Sequence, residues 1–442
     1  MTTTSKPPGQ KAITPEEKKR LRKTTVAGSL GVFVEFYDYG AYGFLAATIA
    51  KVFFPNSGGP AAMIMTWGIF GLTFFVRPLG GIVIGSFADR IGRRAALVLS
   101  LTLMTGATTV IGLLPGYETI GIAAPILLLA MRLIQGFSAG GEVASAMSFV
   151  GESAPDNHRG FLMSWCQVGS FCALLTGTSL GVLLSRTLSE EAMLSWGWRI
   201  PFLIAAPIGI LGYYIRKKLQ DTPVFTEARE SDAIVDSPLK AAVTNSSTRR
   251  KMGLAIGLTL LNSSGYYILF SYMPSYLNKE LGFTQLAGLT VTAVSLIAII
   301  IAIPIAGTLS DRIGRKPVLL TSSIGLTLLV VPCYMLMNLG SIGAAIAGAV
   351  VMAVLFAGHS GIIHCVMVEL FPTRVRGTAY SLGFNISTAI FGGAAPLIMT
   401  AIISATGNHS VPAYYVVLTA IGTTIAVLIS TENSRIALDK VS

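Results

Sequence analysis

The strongest constraint on the fold is a short basic stretch that occurs twice. Residues 85–94 read GSFADRIGRR, and residues 307–316, at a shift of 222 positions, read GTLSDRIGRK. Each copy separates two long apolar runs, and its charged residues must lie in water, so each is predicted to be a hairpin between two membrane helices. A second match, 152–160 with 369–377, occurs at a shift of 217 positions. The chain is therefore predicted to be a duplicated unit.

Apolar runs recur along the whole chain and predict a protein that crosses a membrane many times. Of the 442 residues, 52% are hydrophobic and 12% are charged, a composition that no soluble core requires. Runs of about 20 residues predict about twelve membrane helices. These runs lie at 25–48, 61–84, 94–115, 122–149, 160–185, 198–216, 251–277, 285–309, 317–337, 341–367, 378–404 and 411–430.

The predicted fold is an all-α integral membrane protein with two pseudo-symmetric six-helix halves. The halves are expected at 25–218 and 251–430, and a hydrophilic linker at 219–250 joins them. The segment 1–24 precedes the first helix and the tail 431–442 follows the last. The first apolar run is expected to remain as a helix and not to be a signal peptide, because it contains Glu35 and Asp38.

Basic residues indicate the orientation in the membrane. When the chain is threaded from a cytoplasmic N-terminus, most of the 32 Lys and Arg residues fall on one side, as the positive-inside rule requires. The net charge of +11 therefore reflects topology and not nucleic-acid binding. Both termini and the linker are predicted to be cytoplasmic, in a bacterial-type inner or plasma membrane. The cysteines lack metal-ligand spacing, so no metal or cofactor is expected, and no obligate protein partner is evident.

Charged residues inside the predicted helices define a candidate site. A charge that faces lipid is expensive, so these residues must face a polar interior. They are Glu35 and Asp38 in helix 1, Arg77 in helix 2, and Arg132 and Glu142 in helix 4. Depth along the helices, at about 1.5 Å per residue, allows an Asp38–Arg132 pair and a Glu35–Arg77 pair. For Arg77 the alternative is an arginine that snorkels to the interface.

Helices 7 and 10 supply uncharged polar candidates. Helix 7 contains Asn262, Tyr266 and Tyr267, which form a polar aromatic face, although hydrogen bonds between packed helices are an equal explanation. Helix 10 contains His359, which the 217-residue shift places opposite Glu142 of helix 4. A histidine satisfied within the core is the alternative for His359.

Several motifs together resemble the major facilitator superfamily. The repeated Gly-x3-Asp-Arg-x-Gly-Arg hairpins and the helix 4 segment 132–142 carry this resemblance, which covers nearly the whole chain. Segments 35–38, 77–81, 198–202, 221–223 and 272–277 look like those of its metabolite:proton symporter branch. Within that branch, segments 47–55, 116–125 and 412–415 look most like those of proline/betaine permeases.

The resemblance implies a central cavity between the halves, lined mainly by helices 1, 4, 7 and 10 and opened alternately to each side. A small organic solute and protons would be the partners of the cavity. Proton coupling requires a buried titratable group, and the candidates are Asp38, Glu35 and Glu142, with His359 as a relay. Asp38 and Glu142 are preferred among them. A substrate carboxylate would be received by Arg77, Arg132 and the polar residues Tyr37, Tyr266, Tyr267 and Asn262.

The two repeated motifs are expected to act as cytoplasmic latches between helices. Their candidate gating residues are Gly85, Asp89, Arg93, Gly307, Asp311, Arg315, Glu152, Arg159, Glu369 and Arg376. The sequence thus predicts a proton symporter that imports a small carboxylate-bearing metabolite, with a zwitterion such as proline or betaine favoured. A di- or tricarboxylate or a shikimate-like acid is the alternative, followed by drug:proton antiport. No motif indicates an enzyme, and a sensor without transport would need a signalling domain.

Overall fold

The computed structural model describes residues 14–218, 226–227, 230, 237–434 and 438. Much of the first half of the predicted linker, including the segment 221–223, lies outside the described residues, as do the first 13 residues and most of the tail beyond 434. The predicted domain boundaries therefore remain predictions, and the description below concerns the helices on either side of them.

The N-terminal half forms six long helices within the described residues. Thr14 caps the first of them through a capping box with Glu17, and Pro15 occupies its first position, where no backbone N–H is needed. The helices are α1 Pro15–Phe53, α2 Gly59–Ile91, α3 Arg93–Leu113, α4 Ala123–Ser153, α5 Arg159–Thr187 and α6 Arg199–Lys217.

The C-terminal half forms the corresponding helices in its described part. They are α7 Ser246–Tyr266, α8 Gln285–Ile313, α9 Arg315–Met337, α10 Ile342–Ser360, α11 Arg376–Thr388 and α12 Val411–Ile429. α7 continues through a π turn to Met273–Lys279, α10 continues as Ile363–Leu370, and α11 continues through a π turn to Ala395–Thr406. Pro274 and Pro396 follow the two π turns, where a missing N–H interrupts the regular ladder.

The helices match the predicted membrane fold. In the described part of the chain, eleven helical spans are long and apolar enough to cross a membrane. α1 is the remaining long helix, and it is less apolar because it contains Glu35, Asp38 and several tyrosines, which it buries against the other helices. The predicted all-α architecture with about twelve membrane helices is confirmed.

Helices pack against one another within each half, and the halves meet mainly along two helix pairs. In the N-terminal half α1 packs on α5 and α2 on α4, while in the C-terminal half α9 packs on α10 and α7 on α11 and α12. Across the interface, α2 packs on α11 and α5 packs on α8. These two pairs correspond to each other under the sequence repeat, because α2 matches α8 and α5 matches α11.

Glycines of the repeated motif permit this close approach between the halves. A Cβ atom added at Gly85 would lie 2.9 Å from the carbonyl oxygen of Gly377, and one added at Gly307 would lie 2.8 Å from that of Gly160. Both distances are too short for a real contact. The predicted gating glycines therefore lie where α2 meets α11 and α8 meets α5.

Candidate transport site

Arg77 and Glu35 form a buried ion pair in the N-terminal half. The Nη2 atom of Arg77 lies 2.5 Å from the Oε1 atom of Glu35, and Nη1 donates to the Tyr39 hydroxyl at 3.1 Å. Both charged side chains are almost completely buried. An unpaired charge there would cost several kcal/mol, so α1 and α2 are held together by charge as well as by packing.

Asp38 and Arg132 form the second expected pair, which joins α1 to α4. Nη1 of Arg132 donates to Asp38 and, at 3.0 Å, to the side-chain oxygen of Gln135. Gln135 donates in turn to the other oxygen of Asp38 at 2.9 Å and to Thr108 at 2.6 Å. The guanidinium carbon lies 3.7 Å from the centre of the Tyr42 ring, a cation–π contact.

One edge of the Arg132 guanidinium remains open. Its Nε and Nη2 atoms are buried and have no hydrogen-bond partner among the described residues. These two donors point the same way and match the two oxygens of a carboxylate. The two donors therefore form a fork with the geometry to bind an anion, on an arginine whose charge Asp38 already balances.

Glu142 forms a pair that the sequence interpretation missed. Arg216 precedes Lys217 and Lys218 at the end of α6, but it is completely buried and contacts α3 and α4. It donates to the Oε1 atom of Glu142 at 2.5 Å and to the Leu97 carbonyl oxygen at 2.7 Å. The available signal was Glu142 itself, an intramembrane acid for which no basic partner had been found.

Aromatic rings fill the space between the halves beside these pairs. Phe36 of α1 meets Tyr266 of α7 with ring centres 5.0 Å apart, and Phe74 of α2 meets Tyr267 at 5.2 Å. Phe171 of α5 contacts Tyr266 at 5.1 Å. The predicted helix 7 tyrosines therefore face the N-terminal half and the charged residues, as expected for a helix that lines a central site.

The other predicted site residues do not hydrogen-bond to Arg132 in the described part of the chain. The Tyr37 hydroxyl donates to the Pro201 carbonyl oxygen at 3.0 Å and so ties α1 to α6. Asn262 is buried, and its side-chain oxygen has no partner among the described residues. His359 is buried beside Leu258 of α7. His364, one turn further, hydrogen-bonds the Tyr380 hydroxyl.

At the C-terminal end of α2, a charged cluster joins α2 to α11. The Asp89 carboxylate accepts hydrogen bonds from the backbone N–H groups of Gly377 and Thr378 at 2.9 and 2.8 Å, at the start of α11. Arg93 binds Asp89 and also donates to Glu152 at 3.2 Å. Arg376 of the opposite half lies 2.6 Å from Glu152.

The second cluster repeats this arrangement between α8 and α5. Asp311 accepts from the backbone N–H groups of Gly160 and Phe161, both at 2.8 Å. Arg315 lies 2.6 Å from Asp311 and 3.0 Å from Glu369, which also pairs with Arg159 at 2.9 Å. The predicted gating residues thus come together in two clusters that join the two halves at the same end of the helices.

Comparison with known proteins identifies the family. The family model of the Major Facilitator Superfamily matches residues 28–396 and, in an overlapping match, 285–438. The chain belongs to the major facilitator superfamily. As expected for this superfamily, it is a transporter and not an enzyme.

Relatives in the superfamily cover most of the chain. It is 37% identical over 424 residues to the proline/betaine transporter of Escherichia coli strain K12, a match that spans 94% of this chain and 84% of the relative. It is 37% identical over 410 residues to the glycine betaine/proline/ectoine/pipecolic acid transporter OusA of Dickeya dadantii, spanning 91% of this chain and 81% of the relative.

A solved structure shows the same fold at low identity. The proton:xylose symporter XylE, bound to 6-bromo-6-deoxy-D-glucose, superimposes with a TM-score of 0.80 at 16% identity. The superposition covers 96% of this chain and 99% of XylE. The predicted major facilitator fold is confirmed.

Proposed function

We propose that this transporter is a proton symporter that imports a small zwitterion of the proline or betaine type. The open Nε/Nη2 edge of Arg132 carries the proposal, because it offers a buried two-point contact to a single carboxylate. Named transporters of proline and betaine among the relatives support the same substrate class. The two sets of observations are independent of each other.

The charge balance around Arg132 favours a zwitterion over a dianion. Among the residues described above, Arg77, Arg132 and Arg216 each face one carboxylate, namely Glu35, Asp38 and Glu142. A zwitterion has no net charge and so adds none to this buried region. A di- or tricarboxylate would add two or more negative charges that the site does not balance, which is costly at this burial.

Aromatic rings provide the other half of the recognition. Tyr42 lies against Arg132 and stacks on Phe70 at 5.6 Å, and Phe70 contacts Tyr39 at 5.9 Å. A quaternary or secondary ammonium group is attracted to the faces of such rings. The substrate would therefore place its carboxylate on Arg132 and its ammonium group among these rings of α1 and α2.

Proton coupling is proposed to run through Glu35. A proton on Glu35 would neutralise the carboxylate that pairs with Arg77. In a region of low dielectric, this change of charge alters the electrostatic field felt by the nearby substrate. The substrate and the proton would enter from outside while the two cytoplasmic clusters are closed. Both would leave after the clusters separate and the halves rock to the opposite arrangement.

Uptake into proteoliposomes tests the substrate class. We expect labelled betaine or proline to accumulate when an inward proton gradient is imposed, and an uncoupler to abolish accumulation. Choline, which has the ammonium group without the carboxylate, should compete far more weakly than betaine. Arg132→Lys keeps the charge and loses the fork, so we expect KM to rise at least tenfold, while the control Arg199→Lys leaves KM unchanged. Equal competition by choline, or dicarboxylates as the best competitors, would contradict the proposal.

Topology and domain boundaries belong to the same proposal. We propose a bacterial-type inner or plasma membrane location with both termini inside, the six-helix halves at 25–218 and 251–430, and the linker 219–250 in the cytoplasm. A cysteine introduced by Ser231→Cys, which lies outside the described residues, should resist a membrane-impermeant maleimide in intact cells. It should react in inverted vesicles. Labelling from outside would reverse the topology.

A further inference from the structure

Asn385 of α11 is the point where the C-terminal half enters the charged region of the N-terminal half. Its side-chain oxygen accepts a hydrogen bond from Nε of Arg77 at 3.2 Å. Its amide nitrogen donates to the Gly140 carbonyl oxygen of α4 at 2.5 Å and to the Ser381 carbonyl oxygen at 2.8 Å. The side chain is 1% exposed, so these contacts fix its orientation.

Arg77 is shared between Glu35 and Asn385 along one edge of its guanidinium. Nη2 donates to the Oε1 atom of Glu35, while Nε on the same edge donates to Asn385. The second oxygen of Glu35, Oε2, is buried and has no hydrogen-bond partner among the described residues. A two-point contact between Arg77 and Glu35 would use Nε and Oε2, and Asn385 occupies the first of these atoms.

The same helix pair carries a gating cluster nearer the cytoplasm. Asp89 of α2 binds the backbone of Gly377 and Thr378, and Asn385 lies eight residues beyond Gly377, roughly 12 Å further into the membrane. A Cβ added at Gly81 would lie 3.0 Å from the Asn385 amide nitrogen, so α2 and α11 are in close contact at this level. A separation of α2 from α11 would therefore remove Asn385 from Arg77.

We propose that Asn385 is a positioning residue that keeps Arg77 from forming a two-point contact with Glu35 while the cytoplasmic side is closed. When α11 moves away, Nε of Arg77 becomes free to bind Oε2 of Glu35, which stabilises the carboxylate and drives the proton off toward the cytoplasm. Before that movement Glu35 keeps a free oxygen to take up a proton from outside. This inference rests on the proposed proton coupling through Glu35.

Other groups around Glu35 set the background of its titration. Glu142 and Arg216 act on it electrostatically, but they form a pair with each other. Tyr39 of α1 and the helix 7 tyrosines Tyr266 and Tyr267 face it, with Tyr267 also near Arg77. Tyr380 of α11 is a further neighbour. None of these bonds the Nε atom of Arg77 in the way that Asn385 does.

The pH profile of uptake distinguishes this role from simple packing. Asn385→Ala lets Arg77 bind Glu35 at two points in the closed state, so Glu35 is harder to protonate. The external pH of half-maximal uptake should fall by about one unit, the size expected for one hydrogen bond to a charged group. Asn385→Asp adds a carboxylate that competes for Arg77, and the profile should move in the alkaline direction. Ser381→Ala, one turn away, is the matched control and should keep the parental profile.

Counterflow of substrate, measured without a gradient, shows whether each variant is folded and cycles. Suppose that an uncoupler abolishes uptake by the parent, and that an Asn385 variant which supports counterflow keeps the parental pH profile. The inference is then wrong, and the proposed symport stands. If an uncoupler leaves parental uptake unchanged, the proposed symport fails and this inference fails with it. Opposite shifts of the Ala and Asp variants would support the coupling role, because a loss of packing lowers uptake equally at every pH.

Discussion

At the scale of single residues, the buried carboxylates differ in how completely the protein satisfies them. Asp38 receives bonds on both oxygens, from Arg132 and Gln135, and Glu142 receives two from Arg216. Glu35 is bonded through Oε1, and its Oε2 has no partner in the described part of the chain. A proton can therefore bind Glu35 without displacing an existing contact, which favours it over Asp38 and Glu142, the residues preferred from sequence.

The first prediction separates these carboxylates. We expect Glu35→Gln to abolish gradient-driven accumulation and substrate-linked alkalinisation while counterflow continues, because the amide mimics the protonated acid. Asp38→Asn must turn an NH₂ group toward a donor of Arg132 or Gln135, because both oxygens of Asp38 accept hydrogen bonds, so both counterflow and the amount of folded protein should fall. Accumulation by Glu35→Gln at the parental level would exclude Glu35 as the proton carrier.

The second prediction concerns the room left by Gly31. A Cβ added there would lie 1.3 Å from Nη2 of Arg216 and 2.3 Å from Oε1 of Glu142. Gly31→Ala should therefore break the Glu142–Arg216 pair and lower the melting temperature of the purified protein in detergent. Gly43→Ala on the same helix, where nothing lies within 4 Å, is the control and should melt like the parent. A Gly31→Ala protein as stable as the parent would show that the pair contributes little.

These residues also show what can be predicted by estimating the depth of each charged residue in the membrane from its position along a helix. It allowed the Asp38–Arg132 and Glu35–Arg77 pairs as a hypothesis, because each partner lies well inside a long helix and must be neutralised there. It missed Arg216, which is followed by two lysines and so looks like the start of a loop. The open edge of Arg132 was also beyond reach, since it depends on which nitrogen Asp38 and Gln135 occupy.

At the scale of elements, the segment after α12 supports the start of α9. Gly314 has a φ of 99°, and the two following N–H groups, of Arg315 and Lys316, donate to the Glu432 carboxylate at 3.0 and 2.7 Å. A carboxylate at a helix N-terminus is favourable because the free N–H groups and the helix dipole both attract it. Glu432 therefore fixes α9 at the residue, Arg315, that enters a gating cluster.

The third prediction uses the titration of Glu432. Burial raises the pKa of Glu432, but the backbone N–H groups of Lys316 and Arg315 lower it more, so its pKa lies below the ordinary value of 4.5. The stabilisation is therefore present at neutral pH and lost as the pH falls through the lowered pKa. Glu432→Ala should melt below the parent at pH 7, and the difference should shrink in acid. A difference independent of pH would mean that the charge plays no part.

Helix lengths show a limit of hydropathy at the same scale. The second predicted span ended at 84, where charged residues begin, but α2 continues to Ile91, and α1 begins at Pro15, well before the predicted start at 25. Apolar runs report the thickness of the hydrocarbon layer, whereas helices continue into the water as long as their backbone is capped or hydrogen-bonded. The number and order of the helices were predictable, and their ends were not.

At the scale of the whole molecule, the inter-half hydrogen bonds and ion pairs named above lie at the level of Arg77 and Asn385 or nearer the end of the helices that carries Asp89 and Asp311. The two gating clusters join α2 to α11 and α5 to α8 in corresponding ways. The sequence repeat predicted both clusters as latches, since each half contains the same motif. It could not show that Asp89 and Asp311 each bind the backbone at the start of a helix in the opposite half.

The fourth prediction follows from those helix-end contacts. Asp89→Asn and Asp311→Asn replace one acceptor oxygen by an NH₂ group, which repels the N–H groups of Gly377 and Thr378 or of Gly160 and Phe161. Each such bond to a charged group contributes about 1.5–3 kcal/mol, so the balance should move toward the state that is open to the cytoplasm. Turnover should fall while substrate binding is largely kept, because neither residue lies near Arg132.

The native thiol of Cys365 can report this movement. It is completely buried and lies 3.4 Å from Oε1 of Glu369 in the second cluster. In protein with the other cysteines replaced, alkylation of Cys365 should be at least tenfold faster in both Asp→Asn variants than in the parent. The factor follows from the loss of about 1.5–3 kcal/mol for one hydrogen bond to a charged group. Arg90→Ala and Arg312→Ala remove exposed charges from the same two motifs and should leave the rate unchanged. Lost substrate binding with parental protection of Cys365 would contradict a latch, because a latch changes the populations of the two states and not the affinity of the site itself.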